Sequence, residues 1–226
     1  MSLKSRLTVR GIVVMPLVAG LIFGPAGSFG FWQGWVLVGI FAGFNTILAA
    51  YFYRRDPKLI ERRLRGHEQR REQRQIQMLW HPLSIFALAL PGFDYRFGWS
   101  AHRLGGLPLL VTGIAFAALV AAWLLVFDVM RNNSFASTTV QVEAGQKVIT
   151  DGPYRLVRHP MYSGFALMIL ATPVALGSYV AVPPSLLLIL LFVFRLRDEE
   201  RLLREDLPGY AEYCERTRYR LLPYVF

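Results

Sequence analysis

The chain holds one cysteine, Cys214, in 226 residues, which excludes an intrachain disulfide and any cysteine-based zinc site. Its histidines, His67, His81, His102 and His159, are scattered without metal-ligand spacing, so no metal site is expected. A GxGxxG turn after a strand and a P-loop are both missing, which removes the commonest nucleotide-binding signatures. The largest deficit is of charge. Gly11–Tyr53, Gln75–Phe93, Leu104–Phe127 and Pro160–Phe194 contain no Asp, Glu, Lys or Arg. A mean hydropathy of +0.37 is too apolar for an ordinary soluble domain.

A helix that crosses a bilayer needs about 20 apolar residues, so these runs predict an all-α integral membrane protein with five to six transmembrane segments. The first run accommodates two helices, broken at Gly24-Pro25-Ala26-Gly27-Ser28, where turn residues cluster. The next two runs give one helix each. The last is too long for one span and short for two; Gly177 and Pro183-Pro184 interrupt it, which predicts a hairpin of two short or tilted helices. The expected helices are Leu7–Phe23, Phe31–Tyr53, Gln77–Pro91, Leu104–Met130, Tyr162–Leu176 and Tyr179–Arg197. The sixth continues through Asp198–Asp206 until Pro208-Gly209 stops it, and Tyr210–Thr217 adds a short helix. No small-residue cleavage pattern precedes Gln33, so the first helix is not expected to be a cleaved signal peptide.

The net charge of +10 suggests a nucleic-acid partner until its distribution is examined. Nine of the 25 basic residues lie in Arg54–Arg74 and seven more follow from Arg195 onward, whereas Gly24–Phe31 has none. This is the positive-inside pattern. It predicts that the N-terminus, the Arg54–Arg74 loop, Asp128–His159 and the tail share the cytoplasmic face, next to anionic head groups. The basic loop has no interleaved aromatics to grip bases, so no nucleic-acid partner is expected.

Asn132–Asp151 is polar but low in charge. Alternation in Thr139–Glu143 and Lys147–Thr150 around Ala144-Gly145-Gln146 predicts a small β-hairpin. After it, Gly152–Gly164 (GPYRLVRHPMYSG) crowds Tyr154, His159, Tyr162 and two arginines against a charge-free run. His159 precedes a proline that opens a helix, whose exposed N–H groups suit an anion. Taken singly, these tyrosines and arginines read as interfacial and snorkelling residues; clustered, they read as a ligand site. A second cluster, Arg195–Glu200, returns to the same face, with Arg195 and Glu199 one helical turn apart. Trp80 and His81 read as interfacial.

The succession Gln141, Lys147-Val148-Ile149, Gly152-Pro153-Tyr154, Arg158-His159-Pro160-Met161-Tyr162, Gly164, Arg195, Glu199-Glu200, Tyr210, Tyr213 and Arg220-Leu221-Leu222-Pro223 closely resembles the isoprenylcysteine carboxyl methyltransferases and their prokaryotic relatives. Phospholipid N-methyltransferases share a looser version. The resemblance covers roughly the C-terminal half. It implies methyl transfer from S-adenosylmethionine to a lipophilic small-molecule or lipidated acceptor. Gln141, Gln146, Lys147, Val148, Ile149, Tyr154, His159, Pro160, Met161 and Tyr162 would then form the cofactor pocket. Arg195 would hold the acceptor, with Glu199 or Glu200 as the matching carboxylate at the reacting end. On this reading residues 1–226 form one membrane-embedded domain. Residues 1–130 supply four transmembrane helices, and 131–226 form the cofactor-binding and catalytic half, with the hairpin and a cytoplasmic tail. The expected location is a membrane, spanned several times, with the site facing the cytoplasm; for a prokaryotic source this is the inner or plasma membrane.

A carboxylate acceptor needs its charge held by a guanidinium and needs no base, whereas an amine needs a base such as Glu199 or Glu200. A small-amine or thiol acceptor therefore stays open. The non-enzyme alternative is a transporter or assembly factor. A transporter places polar groups at mid-membrane in broken helices; here they gather at one face, which favours the enzyme.

Overall fold

The computed structural model describes residues 2–64, 70–104 and 108–225, and among these it is all-helical with no strand. Arg65 and His67 lie outside the described residues. Among the described residues four helices are long and apolar enough to cross a membrane: α1 (Leu3–Ala26), α2 (Trp32–Arg55), α4 (Arg71–Phe97) and α6 (Leu109–Asn132). Between them lie short α3 (Pro57–Leu64) and α5 (Trp99–Leu104). The terminal hairpin is α7 (Pro160–Ala175), apolar but shorter, and α8 (Val182–Asp206), apolar to Phe194 and charged beyond it. A small α9 (Tyr210–Arg216) follows.

The punctuation acts as the sequence suggests. Gly27, at φ 61°, caps α1 in a left-handed conformation, and Pro183-Pro184 occupies the first turn of α8 rather than breaking it. Close helix crossings depend on missing side chains. A Cβ on Gly92 of α4 would meet Ile22 O of α1 at 2.5 Å, and one on Gly164 of α7 would meet Val126 Cγ2 of α6 at 2.9 Å. One apolar core joins α1, α2, α6 and α7 through Phe23, Leu37, Leu119 and Ala175. A second, around Phe52, Trp123, Val126 and Met130, lies nearer the charged end and receives Met161 and Phe165. At the opposite end, buried Asp94 accepts from Ser100 N (2.7 Å), and Ser100 Oγ accepts from Tyr179 N (2.9 Å), which ties the α4–α5 turn to the hairpin turn.

Three local expectations need correction. The basic Arg54–Arg74 segment is not all loop. Asp56 caps α3 by accepting from Leu59 N (3.0 Å), and Leu59 and Ile60 bury one apolar face in the second core. Helix α4 begins at Arg71 rather than Gln77. Fully buried Gln73 donates to Asp198 at 2.5 Å and Arg70 pairs with the same carboxylate at 3.1 Å, so contacts with α8 extend the helix through polar sequence. The expected hairpin over 139–150 has its turn, with Gln146 N donating to Glu143 O at 3.0 Å, but no strand ladder. Its apolar residues Val142 and Val148 pack on the Leu207, Tyr210 and Tyr213 cluster instead, and this packing replaces strand pairing as their burial.

Candidate active site

The charged ends of α3, α4, α7 and α8 and the segment 133–146 enclose one cavity of about 460 Å³. Ser134 and Asp198 accept from Arg62 and Arg70, so the basic segment, the polar segment and the start of the tail do share one end of the bundle.

Eight of the expected site residues line this cavity: Gln141, Gln146, Tyr154, His159, Met161, Tyr162, Arg195 and Glu199. Lys147, Val148 and Ile149 do not; they line a smaller recess of about 50 Å³ that shares Gln146, Tyr154 and Arg158 with it. Pro160 is buried at the first turn of α7 and aligns that helix without facing the space. Gly164 makes room for the Val126 side chain and the Ala122 carbonyl of α6 rather than for a ligand.

The two glutamates separate. The Tyr162 hydroxyl donates to Glu199 Oε2 at 2.6 Å and accepts from Arg195 Nε at 3.1 Å. A phenol has one hydrogen to give, so it bridges the carboxylate and the guanidinium without neutralising either. Arg195 Nη2 donates to Thr138 O at 2.8 Å. Glu200, next in sequence, points the other way and is 4% exposed. It accepts from Arg220 Nε at 2.6 Å, and Arg158 Nε lies 3.0 Å away as an ion pair rather than an aligned hydrogen bond.

That ion-pair cluster fastens the tail across the start of α7. Arg158 N and His159 N donate to Tyr219 O and Arg220 O, both at 2.9 Å, and Ser163 Oγ donates to Leu221 O at 2.6 Å. The His159 ring is buried with Nε2 3.3 Å from the Tyr210 hydroxyl, and desolvation lowers its pKa although Glu199 and Glu200 oppose the shift. Tyr154 accepts from Asn133 Nδ2 at 2.7 Å; burial, the larger effect, pushes its phenol up to about 12. Tyr213 donates to Tyr154 O at 2.7 Å, which fixes the turn that carries Tyr154. These groups are neutral hydrogen-bonding groups at pH 7.

Sequence reasoning missed part of the wall. Trp80 and His81, expected to be interfacial, line the cavity, and the Trp80 ring stacks on Phe192 at 4.3 Å. Arg63, expected to serve topology alone, also lines it. Burial lowers the Arg63 pKa to about 10, which leaves it charged at neutral pH. One signal was available: Trp80 and Gln77 lie on one helical face, one turn apart.

The lining thus combines the Glu199 carboxylate, the guanidiniums of Arg63, Arg158 and Arg195, the imidazoles of His81 and His159, and aromatic faces. That set suits a zwitterion: Glu199 and the rings face a cation, and the arginines face a carboxylate.

Residues 109–205 match the model of the isoprenylcysteine carboxyl methyltransferase (ICMT) family. A Delta(14)-sterol reductase, TM7SF2, from Mus musculus is 34% identical over 91 residues, covering 39% of this chain and 22% of the relative. The cobalt-zinc-cadmium resistance protein CzcN of Cupriavidus metallidurans is 30% identical over 145 residues, covering 62% of this chain and 60% of the relative. The chain therefore spans three-fifths or less of these curated relatives. A solved structure of the eukaryotic intramembrane Ras methyltransferase ICMT aligns over the whole chain and 88% of that protein, at 15% identity and a TM-score of 0.49. The family match is confined to the segment that carries α6 to α8, in a chain with helices long and apolar enough to cross a membrane.

Proposed function

We propose that this protein is an S-adenosylmethionine-dependent methyltransferase acting at the membrane surface on a lipophilic acceptor with an anionic head, a carboxylate of the isoprenylcysteine type or an analogue. The observation that carries this reading is the meeting of Arg195, Tyr162 and Glu199 with His159 and Tyr154 in one cavity, within the segment that matches a methyltransferase family.

When bound, the cofactor supplies an already activated methyl group, so the protein has mainly to align donor and acceptor. The chain's own residues suit that task. Glu199 and the aromatic faces of Trp80 and Tyr162 favour a cation, and Gln141, Gln146, Tyr154 and His159 offer polar groups along one side. Arg195 holds the acceptor carboxylate and orients one oxygen without taking its charge away. Tyr162 keeps Arg195 and Glu199 apart, so neither quenches the other. The Trp80, Phe165 and Phe192 wall excludes water and receives the apolar part of the acceptor. On this reading the charged end of the bundle faces the cytoplasm, the source of the cofactor.

Purified protein incubated with methyl-labelled S-adenosylmethionine and a panel of prenylated thiols, phospholipids and small amines tests the reading. Transfer to a carboxylate-bearing lipophile is expected. Transfer only to amines would move Glu199 into the role of base. Failure to bind S-adenosylhomocysteine at all would remove the cofactor assignment.

A further inference from the structure

The segment 133–139 forms a cavity wall without a strand partner, so its backbone polar groups must find others. Three of its amides are satisfied locally. Phe135 N donates to Asn133 Oδ1 (2.9 Å), Ala136 N to Asn133 O (3.3 Å) and Thr139 N to Ser137 Oγ (3.2 Å). Three of its carbonyls are taken by arginines from elsewhere in the fold. Arg62 Nη1 donates to Ser134 O at 2.7 Å, Arg63 Nη1 to Ala136 O at 3.1 Å, and Arg195 Nη2 to Thr138 O at 2.8 Å. Three alternate carbonyls thus meet three guanidiniums, which stand where a neighbouring strand would. Two further contacts tighten the arrangement: the Arg62 guanidinium lies 4.8 Å above the Phe135 ring, and Arg63 Nη1 lies 3.5 Å from Met161 Sδ, itself in the cavity wall.

We propose that Arg62 and Arg63 of α3 are positioning residues for the site: together with Arg195 they clamp the 134–138 wall against the cavity. A basic stretch whose composition points only to membrane orientation therefore has a second role. That role draws the N-terminal half, outside the matched segment 109–205, into the site. Because Arg195 is one of the three clamps, a substitution on α3 should be felt at the acceptor end through Thr138. The proposal rests on the methyltransferase reading only in naming what the wall covers.

Orientation and clamping separate in the double variant R62K/R63K. Lysine keeps the positive charge that sets orientation but lacks the planar fork that serves a carbonyl and a second contact at once. In full-length protein in lipid nanodiscs, hydrogen exchange of residues 134–139 should accelerate about tenfold in R62K/R63K, with α6 and α7 unchanged. S-adenosylhomocysteine should dissociate about tenfold faster, and in sealed vesicles, in a Cys214→Ser background, an impermeant thiol reagent should label a cysteine at position 147 from the same side with and without R62K/R63K. Wild-type exchange and dissociation in the double variant would overturn the clamp, as would acceleration spread evenly over all helices or inverted labelling at position 147. The exchange measurement needs no cofactor. Wild-type protein that failed to bind S-adenosylhomocysteine would defeat the functional reading and leave the exchange result to decide the clamp.

Discussion

The Tyr162 hydroxyl sits between two opposite charges, 2.6 Å from Glu199 Oε2 and 3.1 Å from Arg195 Nε. Tyrosine here is more than part of an aromatic wall. Removing only the oxygen, in Tyr162→Phe, leaves the ring against Phe192 and His159 but lets Arg195 and Glu199 collapse together. Hydrogen bonds to charged groups contribute about 1.5–3 kcal/mol, so transfer should fall roughly 10- to 100-fold. Steady-state rates beside S-adenosylhomocysteine calorimetry check this: the loss belongs in transfer, with cofactor affinity nearly unchanged.

Glu199 and Glu200 should fail differently. Glu199→Gln removes a cavity charge and should abolish most transfer while leaving the melting temperature close to wild type. Glu200→Gln leaves Arg158 buried without its partner and should cost roughly 3 kcal/mol of stability, the low end for a broken buried pair because Arg220 is partly exposed. Thermal unfolding in detergent distinguishes them; equal melting temperatures would contradict the assignment of Glu200 to the tail.

Acid should destabilise the protein through His159. Burial lowers its folded pKa below the unfolded value of 6.5, so the unfolded chain takes up the proton first. The stability contribution is complete above about pH 6.5 and is lost as pH falls toward the folded pKa. Melting temperatures from pH 7.5 to 5 should fall in wild type and fall less in His159→Gln. Parallel curves would show that another group governs the acid limb.

The shared charged end predicts orientation. Cysteines at Ser28 and Lys147, both exposed, should label from opposite sides of sealed vesicles in a Cys214→Ser background, with position 147 cytoplasmic. Labelling of both from one side would contradict the bundle's orientation in the bilayer.

The helices were legible because a lack of charge over 19 to 43 residues leaves few alternatives, and Gly27 and Pro183-Pro184 mark ends by local chemistry. The His159 and Arg195 clusters were legible because polar groups at a membrane border need a purpose. What stayed hidden depends on distant partners. Nothing local says that Gln73 is buried, since its reason is Asp198, 125 positions away. Glu199 and Glu200 are indistinguishable as neighbours in sequence, and only the helix phase sends one to Tyr162 and the other to Arg158 and Arg220. Arg63 looked like charge for orientation because its role requires Ala136 and Met161 beside it.

The account stands most directly on Arg195, which lines the cavity beside Tyr162 and anchors Thr138. The deciding measurement is the methyl-transfer rate of Arg195→Leu at saturating S-adenosylmethionine, taken together with its affinity for S-adenosylhomocysteine. If the guanidinium holds an anionic acceptor, transfer should drop by roughly 2–5 kcal/mol in barrier, with cofactor affinity changed severalfold at most. Arg195→Lys should recover only part of the rate, because an ammonium cannot grip a carboxylate at two points. Full activity in Arg195→Leu would remove this residue from the chemistry and contradict the proposed mechanism.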